Sequence, residues 1–368
     1  MDPAGGGDLG IAVVMGFPGD EEGRIDRPMV GRQGAFLRKH FRKVGISLDD
    51  DCLKVHVLQC RTPKDRLPEG EELMCCRSRV TKQLREFKPD LIFAFGTPAI
   101  SEILRDAPFS ANASNMHGRV VPSHLWGCPV VCGFAPSFYL SERQRGEKTG
   151  KFDARMTEAM RLGLTALAGP PLVDTRLDPV GFEMVEDLAG VERLLNRLTA
   201  EKKPTAFDWE TNGLDSFQPD AKLLLASLAN VEETAWVIPL EHRQARWSPE
   251  DLVQVKEYLK NWLAGPTPKI IQNWQFEEVW SVVKLGTTIK NVVADTMVRA
   301  HILDNRSGVT KQEFMEFVRY GESGHKGSVD RAALHHEYLD TVARYGALDV
   351  RYDLRIYYDQ LAELPMEF

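Results

Sequence analysis

Three short stretches carry oxygen ligands at spacings that could hold a hard metal ion. Asp208 and Glu210 stand two apart in Ala206-Phe207-Asp208-Trp209-Glu210, and in an extended strand residues two apart project from the same face. Two carboxylates aimed at one point suit Mg²⁺ or Mn²⁺, which take oxygen ligands and keep room for water and substrate phosphate. Asn273-Trp274-Gln275-Phe276-Glu277 follows the apolar pair Ile270-Ile271, and helical spacing puts Asn273 and Glu277 on one face. Tyr345 and Asp349 are also four apart, so a phenol sits one turn from a carboxylate. Each pattern is common by itself on solvated strand edges and amphipathic helices. Their order along one chain is far more specific.

Positioning these groups needs alternating strands and helices. Ala206 to Glu210, Leu223 to Ala229 and Ala235 to Pro239 read as strands, and Ile270-Ile271 and Val292-Val293 as shorter ones. Leu252 to Leu263 and Tyr338 to Leu361 read as helices, and Val185, Leu188, Leu194, Leu195 and Leu198 make a helical stripe ahead of them. A second α/β segment precedes this one. It has strands at Ile11 to Met15, Leu91 to Phe95 and Val130-Val131, and a helix over Val80 to Phe87. The cluster Ala168-Gly169-Pro170-Pro171 marks a seam that neither a helix nor a central strand would hold. The expected organisation is a domain over 1–168, a linker and leading helix over 169–203, and a second domain over 204–368.

A chain of 368 residues, 43% apolar and 27% charged, fits two soluble domains. It has no apolar run long enough to span a bilayer and no secretory signal, so the expectation is a cytoplasmic protein with no membrane partner. A net charge of −7 argues against non-specific coating of nucleic acid. Local basic clusters, Arg38 to Lys43 and Arg77 to Lys88, still leave room for a grip on DNA.

In order, the three stretches resemble the exonuclease motifs of the DnaQ-like (DEDD) superfamily, Asp-x-Glu, Asn-x-x-(Phe/Tyr)-Asp and Tyr-x-x-x-Asp. The resemblance covers roughly residues 172 to 365 and is strongest to the proofreading domain of family A DNA polymerases, particularly phage versions. It implies an RNase H-like fold with a mixed sheet and a two-metal 3′→5′ hydrolysis of DNA. In that scheme Asp208 bridges two Mg²⁺ or Mn²⁺ ions, and Glu210 and Asp349 complete the site of the ion bearing the nucleophile. Tyr345 orients the attacking water. Glu277 anchors the second ion, directly or through water, although most of the superfamily has Asp there; Asp295 is the alternative ligand. Asn273, Phe276 and Thr211 are expected at the substrate. The expected partners are a single-stranded 3′ end and a DNA polymerase. In family A the polymerase domain begins soon after the third motif, so it is expected either as a continuation beyond Phe368 or as a separate chain.

In the first half, Pro18-Gly19 with Glu21 and Glu22, Arg27-Pro28-Met29-Val30-Gly31-Arg32, Cys60-Arg61-Thr62-Pro63 and Pro136-Ser137 follow one another. They resemble the landmarks of the uracil-DNA glycosylase superfamily, family 4-like members above all, and imply its α/β fold. The chemical positions differ. The acidic residue of the first motif falls at Gly16, the stacking aromatic at Met29, the uracil-reading Asn near His56, and the late His at Ala135. A flipped uracil must be held by stacking and by hydrogen bonds to its edge, so this domain is expected to be inactive. No iron–sulfur cluster is expected either, because Cys60 and Cys76 match only two of the family's four cysteines. The leading expectation is therefore a proofreading exonuclease with a degenerate glycosylase-like domain. The alternatives are a bifunctional repair protein with both activities, and a non-catalytic DNA-binding or polymerase-interaction protein.

Overall fold

A computed structural model describes residues 1–144, 150–170, 172–324, 329–330 and 333–364. Pro171 of the expected seam, and Phe368, lie outside the described residues. The chain divides into two compact units, Met1–Thr175 with Phe317–Glu322, and Arg176–Glu316 with Ser323–Phe368.

The first unit is built on strands β1 (Ile11–Met15), β2 (Cys52–His56), β3 (Leu91–Phe95), β4 (Val120–Ser123) and β5 (Cys128–Gly133). They lie in the order β2-β1-β3-β5-β4 and are parallel except for β4, which runs antiparallel to β5. Helices α1 (Asp20–Ile25), α2 (Arg32–Lys43), α3 (Gly70–Phe87), α4 (Thr97–Ile103), α5 (Ala113–Met116), α6 (Pro136–Gln144) and α7 (Gly150–Leu167) connect them. Every residue of β1 and β3 is buried, as a parallel sheet covered on both faces requires. Phe36, Leu37 and Phe41 of α2, Tyr139 of α6 and Met160 of α7 close over Ile11, Val13 and Phe93.

The second unit holds β6 (Phe182–Met184), β7 (Thr205–Thr211), β8 (Leu223–Ala229), β9 (Ala235–Pro239), β10 (Lys269–Ile271) and β11 (Val292–Asp295). Their order is β11-β10-β7-β8-β9-β6. The sheet is mixed, with β7 antiparallel to β8 and parallel to β10. Its helices are α8 (Leu188–Glu201), α9 (Pro249–Leu263), α10 (Trp274–Leu285), α11 (Thr296–Leu303), the first residues of α12 (Gln312–Tyr320), and α13 (Leu339–Glu363). Local chemistry starts several of them. Asp187 caps α8 through the amide of Gly190, and Ser248 caps α9, with Pro249 preset at its first position.

Strand β7 separates two cores because its side chains alternate. Phe207 and Trp209 enter one, with Val191, Leu198, Leu259 and Trp280. Ala206 enters the other, with Val342, Ala347 and Val350 of α13. Each fully buried aliphatic or aromatic side chain stabilises by about 1.5–3 kcal/mol, so α13 is fixed firmly over one face of the sheet. At the start of β10, Lys269 is fully buried. Its ammonium donates to the carbonyls of Gly265, Thr267 and Lys290 at 3.1, 3.0 and 3.1 Å and lies 4.8 Å from the centre of the Trp262 ring.

Candidate active site

The face of β7 that carries Ala206 also carries Asp208 and Glu210, and α13 brings Asp349 onto it. Asp208, Glu210 and Asp349 each offer a carboxylate oxygen within 4.8 Å of the others. Glu210 and Asp349 are buried and Asp208 is half-buried. Three carboxylates this close disfavour one another's ionised forms unless cations balance them. All-oxygen donors suit a hard divalent ion, so the residues present fit the expected metals.

Close approach of α13 to the sheet depends on a residue the motif reading passed over. A Cβ on Gly346 would stand 2.5 Å from Ser227 Oγ and 3.1 Å from Glu210 Oε1, so only glycine lets the helix reach the carboxylates. Tyr345, beside it, is buried one turn ahead of Asp349.

Glu277 is not a member of this carboxylate triad. It is buried on α10, and its Oε2 accepts the backbone N–H of Trp209, the residue after Asp208, at 3.0 Å. Burial first, and the neighbouring Asp208 second, push its carboxyl well above the ordinary range. Asn273 does not join the helical face expected of it: it caps α10 in a left-handed conformation, φ 65°. Asp295 serves as a cap for two helices. Its carboxylate accepts the amides of Asn273 and Trp274 at the start of α10 and of Met297 and Val298 at the start of α11. Phe276 is half-buried against the core beside Trp280. The Thr211 hydroxyl donates to the carbonyl of Gly213 at 2.7 Å, closing the turn after β7.

One further carboxyl was missed. Asp353 is buried on α13, one turn beyond Asp349, and is bonded to the Thr296 hydroxyl. Burial first pushes its carboxyl up, the bond with Thr296 opposes that, and Asp208, Asp295 and Asp349 add to the rise, which brings it to about 8. The spacing Tyr345, Asp349, Asp353 repeats every four residues along one helix face and was legible in the sequence.

The four glycosylase positions fall in the first unit. Gly16, Glu22, Gly96 and Ala135 line a cleft of about 740 Å³. Gly96 is left-handed, φ 86°, and a Cβ there would be 2.9 Å from Ala135 Cβ, so Ala135 packs tightly on the end of β3. Met29 is fully buried in the core. His56 is buried with its Nε2 3.8 Å from Glu22 Oε1. Glu22 also accepts the amides of Gly19 and Met29 at 2.7 Å. Burial raises its carboxyl, but His56 and those amides outweigh that, and the net shift is downward.

Known proteins match along the same lines. The uracil DNA glycosylase superfamily matches residues 6–161, and the 3′-5′ exonuclease family matches residues 182–364. A type-4 uracil-DNA glycosylase of Thermotoga maritima is 33% identical over 136 residues, which cover 37% of this chain and 69% of that protein. A DNA polymerase of Bacillus phage SP01 is 23% identical over 310 residues, 80% of this chain but only 33% of the polymerase. Among solved structures, Escherichia coli RNase D is similar with a TM-score of 0.36 and 16% identity, over 50% of this chain and 44% of that one. The chain belongs to the uracil DNA glycosylase superfamily through its first half, and its second half is a 3′-5′ exonuclease domain of the kind carried by family A DNA polymerases.

Proposed function

We propose that this chain removes nucleotides from the 3′ end of DNA as the proofreading module of a family A DNA polymerase. The convergence of Asp208, Glu210 and Asp349 carries the reading. When bound there, two divalent ions would polarise the scissile phosphate and lower the pKa of a water. The protein's own groups then have distinct tasks. Asp208, Glu210 and Asp349 would hold the ions. Tyr345, one turn from Asp349, orients the attacking water. Glu277 lies next to Asp208 and supports the second ion, while Thr211, Asn273 and Phe276 shape the surroundings of the terminal nucleotide. Threading a 3′ end to a recessed site favours single-stranded or frayed ends over blunt ones.

The phage polymerase relative spans both halves of the chain, which supports action together with a polymerase in the cytoplasm of a host cell. The first unit then serves as a DNA-binding or structural module without uracil excision and without an iron–sulfur cluster. The test is incubation of the protein with end-labelled single-stranded DNA in Mg²⁺, Mn²⁺ or EDTA. Metal-dependent release of nucleotides from the 3′ end, abolished by Asp208→Ala, is expected. Cleavage that survives excess EDTA or that substitution would overturn the reading.

A further inference from the structure

Behind the carboxylate triad lies a buried chain of polar groups with no place in the scheme above. Thr296, at the start of α11, is fully buried. Its Oγ1 stands 2.5 Å from Gln272 Oε1 and also within hydrogen-bond reach of Asp353 Oδ1. The carbonyl of Thr296 accepts Gln360 Nε2 of α13 at 2.9 Å. Gln272 in turn donates its Nε2 to the carbonyl of Thr310 at 3.1 Å.

Counting hydrogens decides the direction of these bonds. The Thr310 carbonyl only accepts, so the amide NH₂ of Gln272 must face it and the amide oxygen must face Thr296. That oxygen also only accepts. The single hydroxyl hydrogen of Thr296 therefore goes to Gln272, and none is left for Asp353. A bond between Thr296 Oγ1 and Asp353 then needs a hydrogen on Asp353.

We propose that Asp353 is a positioning residue that acts as a neutral hydrogen-bond donor to Thr296, tying α13 to the junctions that start α10 and α11. The inference rests on the exonuclease reading for its effect on activity. The tie matters because of what it joins. Gln272 immediately precedes Asn273, the cap of α10, and Asp295, next to Thr296, holds the first amides of that helix. Glu277 sits in the opening turn of α10, and Asp349 lies one turn from Asp353 on α13. Asp353 thus sets the spacing between Glu277 and Asp349. The charges of Asp208, Asp295 and Asp349 act on Asp353, and its own charge acts on Glu277, so the tie lies within electrostatic reach of the site.

Asparagine has the same shape, and its NH₂ can donate to Thr296 as the acid does; alanine cannot. The full chain and its Asp353→Asn and Asp353→Ala variants are compared on end-labelled single-stranded DNA across a Mg²⁺ titration. Asp353→Asn is expected to keep kcat within about threefold of the parent with an unchanged Mg²⁺ midpoint, while Asp353→Ala loses about tenfold or more in kcat with little change in KM. An Asp353→Asn variant as inactive as Asp208→Ala would make Asp353 an ionised metal ligand and overturn the proposal. So would a fully active Asp353→Ala variant. An infrared difference spectrum, parent minus Asp353→Asn, is recorded with Mg²⁺ present at about neutral pH. It should contain the carbonyl stretch of a protonated carboxylic acid, and its absence refutes the donor role. This readout needs no turnover. If the parent protein fails to degrade DNA, the exonuclease reading falls while the spectrum still decides the state of Asp353.

Discussion

Gly346→Ala tests whether the contact of α13 with the sheet sets the geometry of the carboxylates. Its backbone is helical, and alanine in place of glycine within a helix gains about 0.8–1 kcal/mol from propensity alone. Against this, the added methyl would stand 2.5 Å from Ser227 Oγ and 3.3 Å from Glu210 Cγ. The first distance is roughly an ångström inside ordinary carbon–oxygen contact, and such overpacking costs about 1–3 kcal/mol. The net loss of stability is therefore small, about 0–2 kcal/mol. The effect on chemistry is larger. Whether α13 lifts or Glu210 turns aside, the spacing of Glu210 and Asp349 changes by a good part of an ångström, and a misplacement of about 1 Å can cost about a hundredfold in rate. Gly346→Ala should lower kcat on single-stranded DNA by about ten- to a hundredfold while its melting temperature stays close to the parent's. Ser227→Ala in the same background removes the nearer contact and should restore stability more than activity, because the contact with Glu210 persists. A Gly346→Ala variant with the parent's kcat and Mg²⁺ dependence would refute the claim that this approach governs the site.

Glu277→Ala should slow exonucleolytic release strongly, whereas Glu277→Asp keeps much of it; equal rates for Glu277→Ala and the parent in a single-turnover assay would move the role to Asp295. Burial pushes the Asp353 carboxyl up to about 8, so its contribution to stability is complete at acidic pH and is lost as pH rises through about 8. Melting curves in EDTA should accordingly fall from mildly acidic to alkaline pH, and Asp353→Asn should flatten the slope. Alkali-sensitive abasic sites should not appear in uracil-containing DNA treated with this protein, because Gly16, buried Met29 and Ala135 supply neither acid, stacking ring nor imidazole; their appearance would restore the bifunctional reading. Lys269→Met leaves the carbonyls of Gly265, Thr267 and Lys290 without their shared donor, and urea unfolding should show a loss of about 2 kcal/mol or more.

The sequence by itself determined what depends on local periodicity. A period of two puts Asp208 and Glu210 on one side of β7 with Phe207 and Trp209 on the other, and a period near four aligns Tyr345 with Asp349. Apolar runs gave Ile11–Met15, Leu91–Phe95, Leu223–Ala229 and Ala235–Pro239 as strands with the bounds they have in the structure, since a strand buried on both faces is mostly apolar. One helix was less legible. Read as Val80 to Phe87, it runs from Gly70 to Phe87, and none of its residues before Val80 is buried. Which segments then meet is not a local property. Asn273 reads as part of a helix face until the amides gathered by Asp295 make it a left-handed cap. Met29 is a stacking position by its place in the sequence, yet it is buried among Phe36, Leu37 and Phe41. Asp353 and Thr296, 57 residues apart, share a hydrogen bond only because α13 crosses the start of α11. Gly346 looks like an ordinary helical glycine until Ser227 and Glu210 stand against it. Periodicity fixes which way a side chain points from its own element. What it meets there depends on packing between elements distant in sequence, and for this site that packing decides which carboxylates gather and which one is left to hold a proton.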